Sequence, residues 1–144
     1  MNDTLVKTVF FNVPPATVWR FLTDKDKLGT WFHPARKDLA EGEAFECYQT
    51  SETGETSRHI WGEVLTADAP HRLVHTFEIP AFSGVATTVE WVLEPIPSGT
   101  RLTLTHTGVA RAMGDAALPM LMALDAGWEE HFALLRPAAM AQAA

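Results

Sequence analysis

Among the residues able to do chemistry, His106 stands out because it shares one face of an alternating stretch with Leu102 and Leu104, which directs its imidazole toward an apolar interior. Oriented there by Asp125 or Glu129 from a later helix, it would be a general base. The same position also suits a hydrogen-bonded core histidine, and the sequence leaves both readings open. His59, His75 and His131 carry the same choice. Glu129-Glu130-His131 reads as a solvated helix face, although Glu129 follows Trp128 and is placed to rim a pocket. Cys47 is a nucleophile only with a base beside it; otherwise it is a small buried hydrophobe.

Other chemistries lack their residues. The chain contains no GxSxG, P-loop, GxGxxG, HExxH or CxxC pattern, so acyl hydrolysis, nucleotide hydrolysis, dinucleotide use and zinc binding gain no support, and neither cofactor nor metal is expected. Eleven basic residues against eighteen acidic ones, a net charge of −7, disfavour the phosphate contacts that dominate nucleic-acid affinity. A single cysteine excludes an internal disulfide and suits a reducing, cytoplasmic setting. No apolar run approaches the roughly 20 residues of a membrane span, and Met1 to Thr4 begin no export signal, so a soluble, unexported protein is expected.

The aromatic residues suggest binding. Trp31, Phe32, Phe45, Phe77, Trp91 and Trp128 all fall where an interior face is expected, while the register of Trp61 and Phe82 is ambiguous. Each is either core or pocket wall. Five tryptophans in 144 residues are hard to bury tightly, and aromatic walls with few polar groups suit small-molecule pockets. A dry void of roughly 300 Å³, at about 24 cal/mol per Å³, would cost on the order of 7 kcal/mol. That rivals the roughly 5–15 kcal/mol stability of a domain, so such a space must be collapsed onto bulky side chains or occupied.

The elements that position these residues follow from periodicity. Leu5 to Asn12 reads as a strand ended by Pro14-Pro15, after which Val18, Phe21 and Leu22 have helical spacing. Thr23 or Asp24 caps a second short helix through Leu28 to about Trp31, closed by Pro34. Residues 35–44 are charged, with a turn at Gly42. Phe45, Cys47 and Gln49 then alternate with Glu46, Tyr48 and Thr50, and Ser51 to Ser57 is a hairpin loop. Strands follow over Arg58–Thr66, His71–Glu78, Thr87–Leu93 and Arg101–Thr107, divided by Asp68-Ala69-Pro70, a loop over Ile79–Gly84, and a turn over Pro95–Gly99. Gly62 leaves room for a bulge or for close approach by the last helix. Gly108 to Gly114 connects to that helix, which Asp115 caps and Pro137 ends, with a frayed alanine-rich tail beyond. Its stripe is Leu118, Leu121, Leu124, Trp128, Phe132 and Leu135. The pattern gives a single α+β domain over 1–144.

Several segments together resemble a known superfamily. They are Pro15-Ala16-Thr17-Val18-Trp19 through Leu22-Thr23-Asp24 and Trp31; Gly62-Glu63-Val64 with Ala69-Pro70-His71-Arg72-Leu73; Val89-Glu90-Trp91 with Gly99 to His106; and Gly127-Trp128. The series resembles the START-like, birch-pollen-allergen-like (SRPBCC) superfamily, in the AHSA-like branch named after the activator of the heat-shock protein 90 ATPase. The resemblance covers nearly the whole chain. It implies a helix-grip fold, in which a curved antiparallel sheet of about six strands wraps a long C-terminal helix, with two short helices after strand one and a cavity between. Fold alone does not select the chemistry.

A small, largely hydrophobic ligand held between sheet and helix is the leading expectation, with Trp31, Phe32, Phe45, Phe77, Trp91, Leu104, His106, Leu124 and Trp128 as its binding residues. A cavity enzyme of hydrolase, cyclase or isomerase type using His106 and an acidic partner is the second reading. A chaperone-linked interaction module using Arg36 to Glu43 or an edge strand is the third. A homodimer is compatible with the sequence, but no residue calls for it.

Overall fold

The computed structural model describes residues 3–141. Strand β1 (Leu5–Phe11) leads into helices α1 (Pro15–Thr23) and α2 (Lys25–Trp31). Strands β2 (Ala44–Thr50), β3 (Thr56–Asp68), β4 (Arg72–Phe77), β5 (Thr87–Ile96) and β6 (Gly99–Thr107) follow, then helices α3 (Val109–Met113) and α4 (Ala117–Met140). All strand pairs are antiparallel, in one curved sheet of order β1-β6-β5-β4-β3-β2. This is the α+β helix-grip architecture expected from the sequence.

Pro15 opens α1, where its missing N–H is no loss. The Asp24 carboxylate accepts hydrogen bonds from the Asp26 and Lys27 amides and so starts α2, deciding between the two candidate caps. Alternation then sorts the sheet. Val89, Trp91 and Leu93 of β5 face inward opposite His106, Leu104 and Leu102 of β6, and all six are buried. Trp128, Phe132, Leu135 and Ala139 of α4 complete the core.

The structure corrects several expectations. The apolar stripe of α4 is covered only from Trp128 onward; Leu118 is 66% and Met122 65% exposed, and Leu121 and Leu124 are half-buried. A cleft opens beside Leu124, which with Met120 still packs on the edge of the core. Asp115 does not cap α4, which starts at Ala117 with no side-chain cap, and the expected connection contains α3, anchored by the fully buried Val109. Pro137 does not end α4. The helix continues to Met140 because Ala139 packs fully into the core. The tail beyond it falls largely on residues 142–144, which, like Met1 and Asn2, lie outside the described residues.

Strand β5 extends through Pro95 to Ile96, leaving Pro97-Ser98 as the turn. Strand β3 also starts earlier, pairing Thr56 with Thr50. At Gly62 the close neighbour is strand β4 rather than the last helix: a Cβ there would meet the Thr76 carbonyl oxygen at 2.2 Å. Bulges occur instead between Cys47 and Tyr48 and between Val64 and Thr66. Trp61 lies half-buried beneath the Arg58 guanidinium, 3.9 Å above its ring, and Phe82 is fully buried beside Phe77.

Candidate functional site

Between sheet and α4 the interior contains two small spaces in line. The inner one is a gap of about 20 Å³ walled by Trp31, Phe32, Phe45, Cys47, His75, Phe77, Trp91 and Trp128, with Leu22, Leu28, Leu39 and Ile60 behind them. It has room for about one water. The outer one is a cleft of about 160 Å³ between Ala123–His131 of α4, His59 and Ile60 of β3, Phe77 and Ile79, and Phe32-His33. Phe32, Ile60, Phe77 and Trp128 border both. Phe32 lies flat on Trp128, ring centres 5.6 Å apart and planes 4° apart.

Larger hollows exist on the surface: one of about 440 Å³ lies wide open among Phe10, Phe11, Asn12, Pro97, Ser98, Arg136 and Met140, and two others are lined by several charged side chains. One of about 280 Å³ between β1 and α4 includes Lys7, Glu129 and Arg136, and one of about 360 Å³ includes Glu46, Arg58, Glu63 and Glu78. The cleft differs from these in being concave and mostly apolar and in lying between helix and sheet, features common to small-molecule sites.

The indole N–H groups explain why so aromatic an interior is stable. Trp31 Nε1 donates to the Phe21 carbonyl at 2.8 Å. Trp91 Nε1 donates to His75 Nε2 at 3.0 Å, while His75 Nδ1 donates to the Thr76 carbonyl at 2.8 Å. Trp128 Nε1 donates to His106 Nδ1 at 3.3 Å, His106 Nε2 donates to Thr87 Oγ1 at 2.8 Å, and that hydroxyl donates to the Phe77 carbonyl at 2.7 Å. Both imidazoles are thus fixed as neutral tautomers. Burial pushes His75 down to about 4. Burial, and then the neighbouring His75, push His106 down to about 4. No buried side-chain nitrogen or oxygen among the described residues lacks a partner.

This arrangement overturns the proposed His106–carboxylate pair. Asp125 and Glu129 instead face Lys7 of β1, with Asp125 at 2.6 Å and Glu129 at 3.7 Å from its ammonium, and both His106 nitrogens are already bonded. Lys7 captures the carboxylates because β1 lies against α4. Cys47 has no base bonded to it, and burial raises its thiol to about 12, so it is no nucleophile.

Of the nine expected binding residues, Trp31, Phe32, Phe45, Phe77, Trp91 and Trp128 surround the inner gap, and Phe32, Phe77, Leu124 and Trp128 border the cleft. Leu104 and His106, both 0% exposed, line neither space.

The polar groups of the cleft are His33, His59 and His131. His33 sits 4.8 Å from His59 and 5.3 Å from His131, ring centre to ring centre. His131 Nδ1 donates to the Trp31 carbonyl at 3.1 Å. Burial, then His59 and His131, push His33 down to about 4; burial lowers His59, and burial lowers His131 against the opposing effects of the Trp31 carbonyl and Glu130. His33 escaped notice in the sequence because it lies in no periodic element. The only local signal was the Trp31-Phe32-His33-Pro34 run.

Residues 12–139 match the family described as activator of Hsp90 ATPase homolog 1-like protein. The chain belongs to this family. Solved structures repeat its fold. The AHSA1-type chain is 24% identical to protein MLL2253 from Mesorhizobium loti, with a TM-score of 0.76 over 94% of this chain and 95% of that one. Protein CV1439 from Chromobacterium violaceum is 17% identical, with a TM-score of 0.79 over 97% and 99%. DynU16, a protein of the dynemicin biosynthetic locus, is 21% identical with a TM-score of 0.77, covering 95% of this chain and 47% of that one. No curated protein matches. Among the described residues no helix is long and apolar enough to cross a membrane.

Proposed function

We propose that this AHSA1-family protein binds a small, largely apolar molecule in the cleft beside α4, with Phe32 and Trp128 as its floor and Leu124, Ile79 and Phe77 as its walls. The observation that carries the reading is an apolar cleft set against an aromatic-lined inner gap, with the stacked pair Phe32 and Trp128 among the four side chains that border both. Swinging Phe32 aside would join the two spaces without breaking a backbone element. The location of DynU16 in a biosynthetic locus agrees with a small-molecule role. The single buried cysteine agrees with a cytosolic one.

The competing readings have less support. Acid–base catalysis by His106 lacks a carboxylate bonded to the ring: Asp3, whose charge acts on it, accepts from the Ala110 amide, and both ring nitrogens are engaged by Thr87 and Trp128. The charged segment proposed for a chaperone contact is exposed, but part of its charge is already engaged within the chain: Asp38 accepts from the Lys25 amide, Glu41 from the Ala67 amide, and Lys37 pairs with Glu43 at 2.5 Å.

Calorimetric titration with naphthalene-2-carboxamide, a neutral bicyclic probe, tests the reading. Gly127 lines the cleft and has open space where a Cβ would stand, so Gly127→Phe should occupy the cleft and abolish binding. Equal affinity in the folded variant and the parent would overturn the assignment.

A further inference from the structure

We infer that the cleft selects an apolar weak acid, a carboxylate or similarly acidic group on a compact ring system, and that the His33, His59 and His131 trio takes up a proton when it binds. The inference rests on the cleft being the binding site and goes beyond it by naming the ligand's chemistry.

The first argument concerns what is missing from the walls. In a chain with eighteen acidic residues and a net charge of −7, no carboxylate lines the cleft, nor does any lysine or arginine. Its ionisable groups are the three imidazoles, brought together from the segment after α2, from β3 and from α4. A cationic guest would meet no counter-charge there and would oppose their protonation.

Hydrogen-bonding capacity gives the second argument. His131 spends Nδ1 on the Trp31 carbonyl, which leaves Nε2 available. His33 and His59 make ring contacts with their neighbours and no hydrogen bonds. Neither holds a buried nitrogen without a partner, so their nitrogens are open to solvent or to a guest. By contrast, His75 and His106 deeper in the core have both nitrogens engaged.

Electrostatics supplies the third. With the cleft empty, the trio opposes its own protonation, since the rings crowd one another in a partly dry site and His33 lies at about 4. An anion among them reverses the balance, because it favours the charged imidazole and gains a charge-assisted hydrogen bond. Glu130 on α4 acts in the same sense on His131. Arg58 and Glu78 belong to the separate charged hollow beside Trp61, and Asp125 and Glu129 face Lys7, so none of them supplies the missing charge. His75 borders only the inner gap.

Size limits the guest. About 160 Å³ is close to the roughly 150 Å³ that holds one benzene, so one ring of the guest seats in the cleft, a second ring or substituent extends into its open mouth, and a long acyl chain is too large.

The test is calorimetric titration of the intact protein with naphthalene-2-carboxylate and with its amide, at pH 6, 7 and 8 and in buffers of different ionisation enthalpy. The inference predicts uptake of about one proton per carboxylate bound at pH 7, and affinity rising as pH falls from 8 to 6, by up to about tenfold per pH unit. The amide should bind with no proton uptake and a flat pH profile. His33→Gln and, independently, His59→Gln should each flatten the carboxylate's pH slope and lower its proton uptake, while the amide's pH profile stays flat in both variants. Neither substitution orphans a hydrogen-bond partner, and the proton count on the parent protein stands whether or not a variant folds. Binding of both probes with no proton uptake and no pH slope would overturn the weak-acid inference while sparing the cleft. Binding of neither by the folded protein would overturn the cleft assignment and this inference with it.

Discussion

Phe32 and Trp128 come from opposite ends of the chain and stack face to face, 5.6 Å between ring centres and 4° between planes. Phe32 is half-buried and follows the last residue of α2; Trp128 is buried on α4 and anchored through His106. The stack therefore joins a less constrained ring to a fixed one. Phe32→Ala should merge the cleft with the inner gap, lower stability by about 1–3 kcal/mol, and let probes larger than a bicyclic ring bind. Urea denaturation and calorimetry with a tricyclic amide check this; unchanged size selectivity would show that Phe32 divides nothing.

Two glycines should respond oppositely to alanine. Gly127 lies inside α4 with open space around it, so Gly127→Ala should stabilise the protein by about 0.5–1 kcal/mol. Gly62→Ala would set a methyl group 2.2 Å from the Thr76 carbonyl oxygen, forcing β3 from β4. A loss of about 2–4 kcal/mol is expected. Equilibrium unfolding of both variants measures the contrast, and similar values for the two would contradict the packing described.

His106 should prove structural. His106→Leu leaves the Trp128 indole N–H without its acceptor, at a cost of about 1–3 kcal/mol. His106→Gln, which keeps an acceptor and a donor, should recover part of the loss. If both variants matched the parent in urea, the Trp128–His106–Thr87 chain of hydrogen bonds would be energetically empty.

Stability should fall in mild acid. His33, His75 and His106 lie at about 4 in the folded protein, below their ordinary value of 6.5. Between those values the unfolded chain binds more protons than the folded one, so stability is full above about pH 6.5 and declines as pH falls toward 4. The two buried rings, His75 and His106, each remove up to roughly 3 kcal/mol by pH 4. Urea midpoints measured at pH 7.5, 6 and 5 should fall in that order; a flat profile would mean that the buried imidazoles are readily charged in the native state.

Much of this molecule was readable from local pattern. Alternation in Val89-Trp91-Leu93 and Leu102-Leu104-His106 located the central strands and their buried faces, because a half-covered sheet imposes a period of two. Phe45, Phe77 and Trp91, on β2, β4 and β5, were placed for the same reason. What pattern could not show was pairing across the fold. Lys7, near the start of the chain, takes Asp125 and Glu129 near its end, and no local rule links them. Likewise, His33 meets His59 and His131 only once three elements have packed. Pro137 was misjudged because helix propensity is a local quantity, whereas burial of Ala139 is a tertiary one.

The binding claim is tested most directly by amide chemical-shift mapping of the labelled protein titrated with naphthalene-2-carboxamide. The predicted shifts cluster on Phe32, His33, His59, Ile79, Leu124, Gly127 and Trp128. Shifts centred on Lys7, Thr8 and Arg136 in the charged groove, or none at saturating probe, would contradict the account.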